Sequence, residues 1–248
     1  MSSNHYSDQF YNSITEHSMY AASKILPIIE QHFSPKRVID FGCGRGAWLS
    51  YWKNREIDVK GLDGDYIDQS KLLISPKDFE PVNFESLVPE VRDFDLAMCL
   101  EVVEHLTTDT SLKLLDAICA AAPVVLFSAA VPGQGGTGHI NERPPAFWVE
   151  KFAKRGFVFV DVVRPKVFKN KKIQPWYRYN TLVFVSDHSR FRTLIDNSDK
   201  SQSLVVTDYS SFLWKMRCCA IRLLPESSVT LLATAKHRLR SFLLTLYR

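Results

Sequence analysis

Near the start of the chain, apolar residues recur at helical spacing. Ile14, Ala21, Ile25, Leu26, Ile28 and Ile29 share a face between Ser13 and Phe33, and Ser34-Pro35 ends the run. The pattern then changes to an apolar strand, Arg37 to Phe41, a glycine loop through Gly46, and a helix carrying Trp48, Leu49 and Trp52. Alternation continues through Val59 to Leu62, a short strand around Val82 to Phe84, Phe94 to Leu100, a helix from Thr110 to Ala121, and Val124 to Ala129. Strands alternating with helices in this way predict a mostly parallel α/β sheet with helices on both faces. A last pair, Val158 to Val163 and Thr181 to Val185, flanks a basic, aromatic loop (RPKVFKNKKIQPWYRYN) and reads as an edge hairpin.

Composition sets limits on this picture. With 248 residues, 46% hydrophobic and 23% charged, the chain can bury one sizeable core, so a second full domain is not required. The division expected is a domain over 1–186, a polar linker over 187–203 and a basic helical tail over 204–248. No stretch of about 18 apolar residues is present, and the polar start MSSNHYSDQF lacks the basic and apolar regions of a leader. The expectation is a cytoplasmic protein. Five scattered cysteines without a CxxC pair argue against a zinc knuckle or a disulfide framework and read as reduced core filling.

The net charge of +4 is unevenly spread: from Leu213 to Arg248 there are seven Lys or Arg against one Glu. In the tail, Phe212, Leu213, Met216, Cys219, Ala220 and Leu223 share one helical face beside Lys215, Arg217 and Arg222, and Pro225 stops the run. A second stretch carries Leu232, Leu239, Phe242, Leu243 and Leu246 with Lys236, Arg238 and Arg240. Such helices can lie peripherally on the anionic inner membrane surface, cover a protein partner, or pack on the domain's own flank with their basic residues in solvent. The last is the reading adopted. The aromatic and basic residues form no recognised nucleic-acid module.

Chemistry concentrates where strands end. Val38-Ile39-Asp40-Phe41-Gly42-Cys43-Gly44-Arg45-Gly46 sets three glycines two apart after a buried strand, so the loop can turn sharply and let a bulky ligand lie on its backbone near a helix N-terminus. The spacing is GxGxG with Ala47, not the GxGxxG of dinucleotide enzymes, which disfavours a nicotinamide oxidoreductase. Asp63, 23 residues after Asp40 and at the end of the second strand, suits a ribose diol. After the third strand, Asn83 can read an adenine amino edge with Phe84 against the ring, while Asp40 takes an ammonium group.

In this order, VIDFGCGRG, GLDGDY, NFESL and FDLAMCLEVVEHL resemble the class I S-adenosylmethionine-dependent methyltransferases from about Tyr11 to Val185. The resemblance implies a Rossmann-like, seven-stranded sheet with an antiparallel last strand and S-adenosyl-L-methionine over its carboxyl edge. It also implies that Gly42, Gly44 and Gly46 line the methionine part, Asp63 holds the ribose, and Asn83 and Phe84 face the adenine. One departure is Asn83, where the family commonly has an acidic residue.

The acceptor side is read from two runs. In Glu101-Val102-Val103-Glu104-His105, spacing of i, i+3 and i+4 would put Glu101, Glu104 and His105 on one helical face, a set able to hold a divalent ion. A second reading has Glu101 beside the cofactor and Glu104 and His105 merely capping the next helix. The loop from Pro132 to Arg143 has four glycines and offers His139 as a general base for a hydroxyl, with Asn141 and Glu142 as further catalytic candidates.

The ExxEH run with a later histidine also resembles metal-dependent small-RNA 2′-O-methyltransferases and some quinone O-methyltransferases, which implies a metal site of Glu101, Glu104, His105 and His139. SAAVPGQGGTGHINE and PWYRYNTLVFV more closely resemble bacterial methyltransferases associated with sugar and polysaccharide pathways, implying a sugar, glycan or other small polar hydroxyl as acceptor. Trp148, Trp176, Tyr177 and Arg178 are candidates for a pocket wall, with core packing the alternative for the tryptophans. A non-catalytic adenosyl-ligand-binding scaffold is the remaining alternative.

Overall fold

The computed structural model describes residues 8–191 and 206–224, with the side chains of 8–14 left aside. The second tail stretch and most of the expected linker lie outside the described residues. In chain order the elements are α1 (Asp8–Phe33), β1 (Arg37–Phe41), α2 (Ala47–Lys53), β2 (Asp58–Asp63), β3 (Phe79–Pro81), β4 (Leu96–Leu100), α3 (Thr108–Ala121) and β5 (Val124–Ser128). After these come α4 (Pro145–Ala153), β6 (Phe157–Phe159), α5 (Arg164–Val167), α6 (Pro175–Asn180), β7 (Leu182–Ser186) and α7 (Phe212–Arg222).

The sheet runs β3-β2-β1-β4-β5-β7-β6. Neighbours are parallel from β3 to β5, and β7 is antiparallel to both β5 and β6. The seven-stranded Rossmann-like expectation therefore holds, with an antiparallel last strand. One detail is corrected: the final two strands do pair, but β7 inserts between β5 and β6, so of the two only β6 lies at an edge.

The period-two alternation of a strand sends successive side chains to opposite faces, and both faces here are covered, so the central strands β4 and β5 are apolar but for the final Ser128. Val38, Leu96, Met98, Leu126 and Val183 pack under α1 and α2 against Ile25, Leu26, Leu49 and Trp52. On the other face Ile39, Phe41, Ala97, Val125 and Phe127 pack with Leu114, Ile118, Trp148 and Phe152 of α3 and α4. Phe152 of α4 stacks on Phe184 of β7 with ring centroids 3.9 Å apart.

Three segments differ from the sequence pattern. The third strand precedes Val82 to Phe84, because Asn83 begins a turn in which its carbonyl accepts from the Ser86 and Leu87 amides. The sixth strand stops at Phe159: Val162 N–H turns back to the Val160 carbonyl, and Pro165 then starts α5. The basic, aromatic segment after it carries two short helices, α5 and α6, each with a proline in its first turn, where the missing N–H costs nothing. The cysteines are free, with Cys43, Cys99 and Cys218 buried, Cys119 half-buried and Cys219 exposed. No helix among the described residues is long and apolar enough to cross a membrane.

Candidate active site

The strand order reverses between β1 and β4, and the loops leaving their carboxyl ends diverge there, the place where open α/β sheets bind ligands. After β1, Gly42, Gly44 and Gly46 all have positive φ, at 83°, 55° and 80°, conformations that only glycine adopts freely. Gly42 lies against the loop after β4: a Cβ there would stand 2.2 Å from Val102 Cγ2. A Cβ on Gly44 would meet nothing within 4 Å, so that side of its backbone is open to a ligand.

The acidic partners surround that loop. Asp40 is buried, and among the described residues neither carboxylate oxygen has a hydrogen-bond partner. Burial, and then the neighbouring Asp63, push its carboxyl up to about 7. Asp63 accepts from Gly44 N at 2.7 Å through Oδ2, and from Gly64 N and Tyr66 Oη through Oδ1 at 2.7 and 2.6 Å. Burial raises its carboxyl above the ordinary range in opposition to those three bonds. Asn83 is exposed, and its Oδ1 accepts from Glu85 N at 3.0 Å. Phe84 packs at the core edge, 8% exposed, its ring 6.3 Å from that of Phe41.

The run after β4 is not the helix that its spacing suggested. Glu101 sits at φ 59°, a left-handed conformation rare for this residue, and only a single 3-10 turn, Val103–His105, follows. Even so, one ligand atom each from Glu104, His105 and His139 lie within 4.8 Å of one another. Glu101 stands outside that group: its Oε2 accepts from Gln134 Nε2 at 2.6 Å, while Oε1 is buried without a partner.

Glu104 is fully buried, and both its side-chain oxygens lack partners among the described residues. Burial, then the Glu101 carboxylate beside it, hold its carboxyl well above the usual range, and burial raises Glu101 to about 6. Burial and the neighbouring His139 lower His105 to about 4, so its ring is neutral near pH 7. A neutral His105 donating from Nδ1 to the Gly138 carbonyl, 3.2 Å away, has its lone pair on Nε2.

The glycine-rich loop brings His139 to this cluster, its ring edge-on to that of His105 at 4.9 Å. Glu142 Oε1 lies 2.9 Å from His139 Nδ1, and Glu142 also accepts from Gly135 N at 2.8 Å and, through Oε2, from Gly133 N at 2.7 Å. Although burial opposes its charge, these donors hold Glu142 below the ordinary carboxylate range. The ionised Glu142 therefore shapes the turn and orients His139.

Asn141 is a bracket rather than a group facing the cleft. Its Nδ2 donates to the Val103 carbonyl and to Ser111 Oγ, and its Oδ1 accepts from Thr108 Oγ1 and Arg143 Nε. Trp148 is buried under β5 and Trp176 packs half-buried at the border of the core, in line with the packing alternative for the tryptophans. Arg178 Nη1 donates to the Asn170 carbonyl. Tyr177 is buried with its ring edge-on to Trp48 and its hydroxyl 3.0 Å from Ser18 Oγ.

Two contributions escaped the sequence reading. Gln134 donates to Glu101 and accepts from Asn180 Nδ2 at 2.8 Å, and Asn180 also donates to the Ala129 carbonyl, so α6 and the glycine-rich loop fix the Glu101 carboxylate together. The second is α7, whose Arg217 Nη1 donates to the Gln134 carbonyl at 2.8 Å and whose Arg222 Nε donates to the Pro132 carbonyl at 2.9 Å. The helix docks on the domain as expected but with the opposite face inward: Cys218 is buried, while Phe212, Leu213, Met216 and Leu223 are exposed. Backbone carbonyls of a loop accept readily from arginine, and that chemistry, rather than the apolar stripe, sets the orientation.

Among solved structures, the fold is similar to a magnesium protoporphyrin IX methyltransferase from Synechocystis PCC 6803 with bound SAM, at 15% identity and a TM-score of 0.50, covering 68% of this chain and 79% of that one. It is similar also to a sugar N-methyltransferase from Streptoalloteichus sp. ATCC 53650, at 15% identity and a TM-score of 0.50, covering 67% and 86%. A curated relative, a ubiquinone biosynthesis O-methyltransferase of Paraburkholderia phymatum, is 33% identical over 84 residues, 30% of this chain and 35% of that protein. The chain thus matches about a third of that relative's length. The family model described as a methyltransferase domain matches residues 14–193, which takes in every strand and both loops built above, and the chain belongs to that family.

Proposed function

We propose that this chain transfers a methyl group from S-adenosyl-L-methionine to a hydroxyl oxygen of a small polar acceptor, with a sugar or glycan hydroxyl the preferred target. The residues present fit this adenosyl ligand. The unpartnered, buried Asp40 suits its ammonium group, the open backbone at Gly44 suits its methionine part, and Asp63 suits the ribose diol once the Tyr66 hydroxyl gives way. Bound there, the sulfonium supplies an already activated methyl group.

The observation that carries the acceptor reading is His139, held by Glu142 beside the acidic loop that abuts Gly42. With Nδ1–H donating to Glu142, Nε2 carries the lone pair and can take the acceptor's proton. In the transfer an oxygen–carbon bond forms, the carbon–sulfur bond breaks with its electron pair going to sulfur, and the acceptor proton goes to His139. Alignment of the acceptor is the remaining task of the site.

A metal-dependent variant of this reading, as in RNA ribose or quinone O-methylation, is favoured by one observation. A buried carboxylate with two orphaned oxygens next to two imidazoles is costly unless it is protonated or faces a cation. Glu104, His105 and His139 would hold the ion, which would polarise the acceptor oxygen and assist its deprotonation. The outward apolar face of α7, flanked by Lys215, fits the tail's reading as a peripheral contact surface.

The test is label transfer from S-adenosyl-L-methionine to a panel of sugars, nucleotide sugars, catechols and short RNAs, with and without Mn²⁺ or Mg²⁺. Turnover lost in His139→Ala supports the reading. Binding of S-adenosylhomocysteine without turnover on any acceptor would favour the non-catalytic scaffold.

A further inference from the structure

Between the glycine-rich loop and α7 lies a cleft of about 310 Å³, whose walls include His139 and Ile140 from the loop and Ile221, Arg222 and Leu224 from the tail. A volume at the lower end of the range for small-molecule sites suits a single ring or sugar unit. The helix is seated there by backbone geometry. Gly133 has φ 81°, and a Cβ on it would stand 2.2 Å from the Cys218 carbonyl oxygen, so the loop's glycine and the helix fit only together. Arg217 and Arg222 fasten the two segments at Gln134 and Pro132.

The two charged groups in the cleft differ in how they are engaged. The Glu142 carboxylate is taken up by His139 and the two glycine amides, whereas Arg222 bonds the Pro132 carbonyl through Nε alone among the described residues. The four N–H donors on its Nη atoms are left for a ligand, a fork suited to a carboxylate or phosphate. Apolar surface completes the set: Ile140 is 57% and Leu224 40% exposed beside it.

We propose that α7 forms one wall of the acceptor site and that Arg222 selects acceptors bearing an oxyanion group on a compact body. This rests on the hydroxyl-transfer reading above and names its substrate class: a small hydroxy acid or hydroxy phosphate, the oxyanion on Arg222 and the hydroxyl toward His139. Arg222 acts on binding and orientation, leaving the transfer chemistry to the groups of the domain.

Calorimetry on the full chain saturated with S-adenosylhomocysteine tests it, using two matched pairs: 3,4-dihydroxybenzoate against its amide, and glucose 6-phosphate against glucose. The acidic member of at least one pair is expected to bind roughly tenfold or more tightly than its neutral counterpart, and which pair responds separates carboxylate from phosphate. Arg222→Gln should bring the members of that pair within about threefold, with Arg222→Lys intermediate, while S-adenosylhomocysteine affinity stays at the wild-type value. Equal binding within both pairs, no binding of any probe, or a preference that survives Arg222→Gln would overturn the proposal. Failure of S-adenosylhomocysteine itself to bind would instead remove the functional reading on which it rests.

Discussion

Glu142 meets His139 from three residues further along the same loop, Oε1 to Nδ1 at 2.9 Å, and in doing so ties a flexible glycine turn to a single imidazole orientation. Glu142→Gln, able to bond only as a neutral group, should lower kcat by about 10–100-fold with little change in the affinity for S-adenosylhomocysteine, while His139→Ala should cost about 10²–10⁴-fold. Steady-state label transfer with parallel calorimetry checks both. Equal loss of cofactor affinity in Glu142→Gln would show that the loop shapes the adenosyl-ligand site instead.

Asp40 predicts a pH dependence. Its folded pKa of about 7 lies above the ordinary 3.8, so between those values the unfolded chain releases a proton that the folded chain keeps. The ligand-free protein should therefore lose stability as pH rises from about 4 to 7. Glu101, raised to about 6, and Glu104 act in the same direction. Asp40→Asn should raise the melting temperature of the ligand-free protein at pH 8 by about 5 °C or more and flatten its pH dependence. It should also weaken S-adenosylhomocysteine binding about 10–100-fold at that pH, through loss of the charge-assisted bond to the ammonium group. Thermal melts across pH 5 to 8, with and without that compound, read both effects.

The Tyr66 hydroxyl occupies Asp63 Oδ1, one of the oxygens a ribose diol would use. Tyr66→Phe should tighten S-adenosylhomocysteine binding by about two- to fivefold, in keeping with the modest net worth of one hydrogen bond. Asp63→Ala, which also releases Gly44 N, should weaken it by at least about 30-fold. Weaker binding in Tyr66→Phe would mean that the hydroxyl supports the site.

The buried Glu104 separates two states of the cluster. If it takes a divalent ion, Mn²⁺ should raise the melting temperature of the wild type and leave Glu104→Gln unmoved, while Glu104→Gln without metal should be at least as stable as wild type at neutral pH because no buried carboxyl then has to be kept protonated above its ordinary range. Melts with Mn²⁺ and with EDTA decide between them.

Gly42 offers a test of the fold itself. An alanine there adds a Cβ against Val102 in a backbone conformation that disfavours it, so Gly42→Ala should destabilise by about 2–3 kcal/mol. Pairing it with Val102→Ala should restore a part of that loss, the steric part, and leave the part due to backbone strain. Urea unfolding of the four proteins measures the coupling.

How much could be read in the chain follows from how far apart the partners are. The glycine loop and Asp63 were legible because each is a local demand: a positive φ after a strand, and a carboxylate at the end of the next one. The acidic run was half legible, since Glu104 and His105 do meet His139, yet by way of a left-handed Glu101 and one tight turn where helical spacing had been assumed. Asn180 to Gln134 spans 46 residues and Arg222 to Pro132 spans 90, and no periodicity encodes such pairs. The apolar stripe of α7 misled for a related reason. Amphipathicity states that two faces differ, and what a neighbouring loop offers, here bare carbonyls, decides which one turns inward.

The position of β7 between β5 and β6 governs the order in which the molecule can be assembled during synthesis. A nascent chain that has left the ribosome as far as Phe159 can zip together β1 to β5, but β6 then has no strand to join, and the free side of β5 remains unpaired. Both are relieved by the same five residues, Leu182–Ser186, arriving late. Release of the chain before that point would leave an open, sticky ribbon in place of a closed sheet.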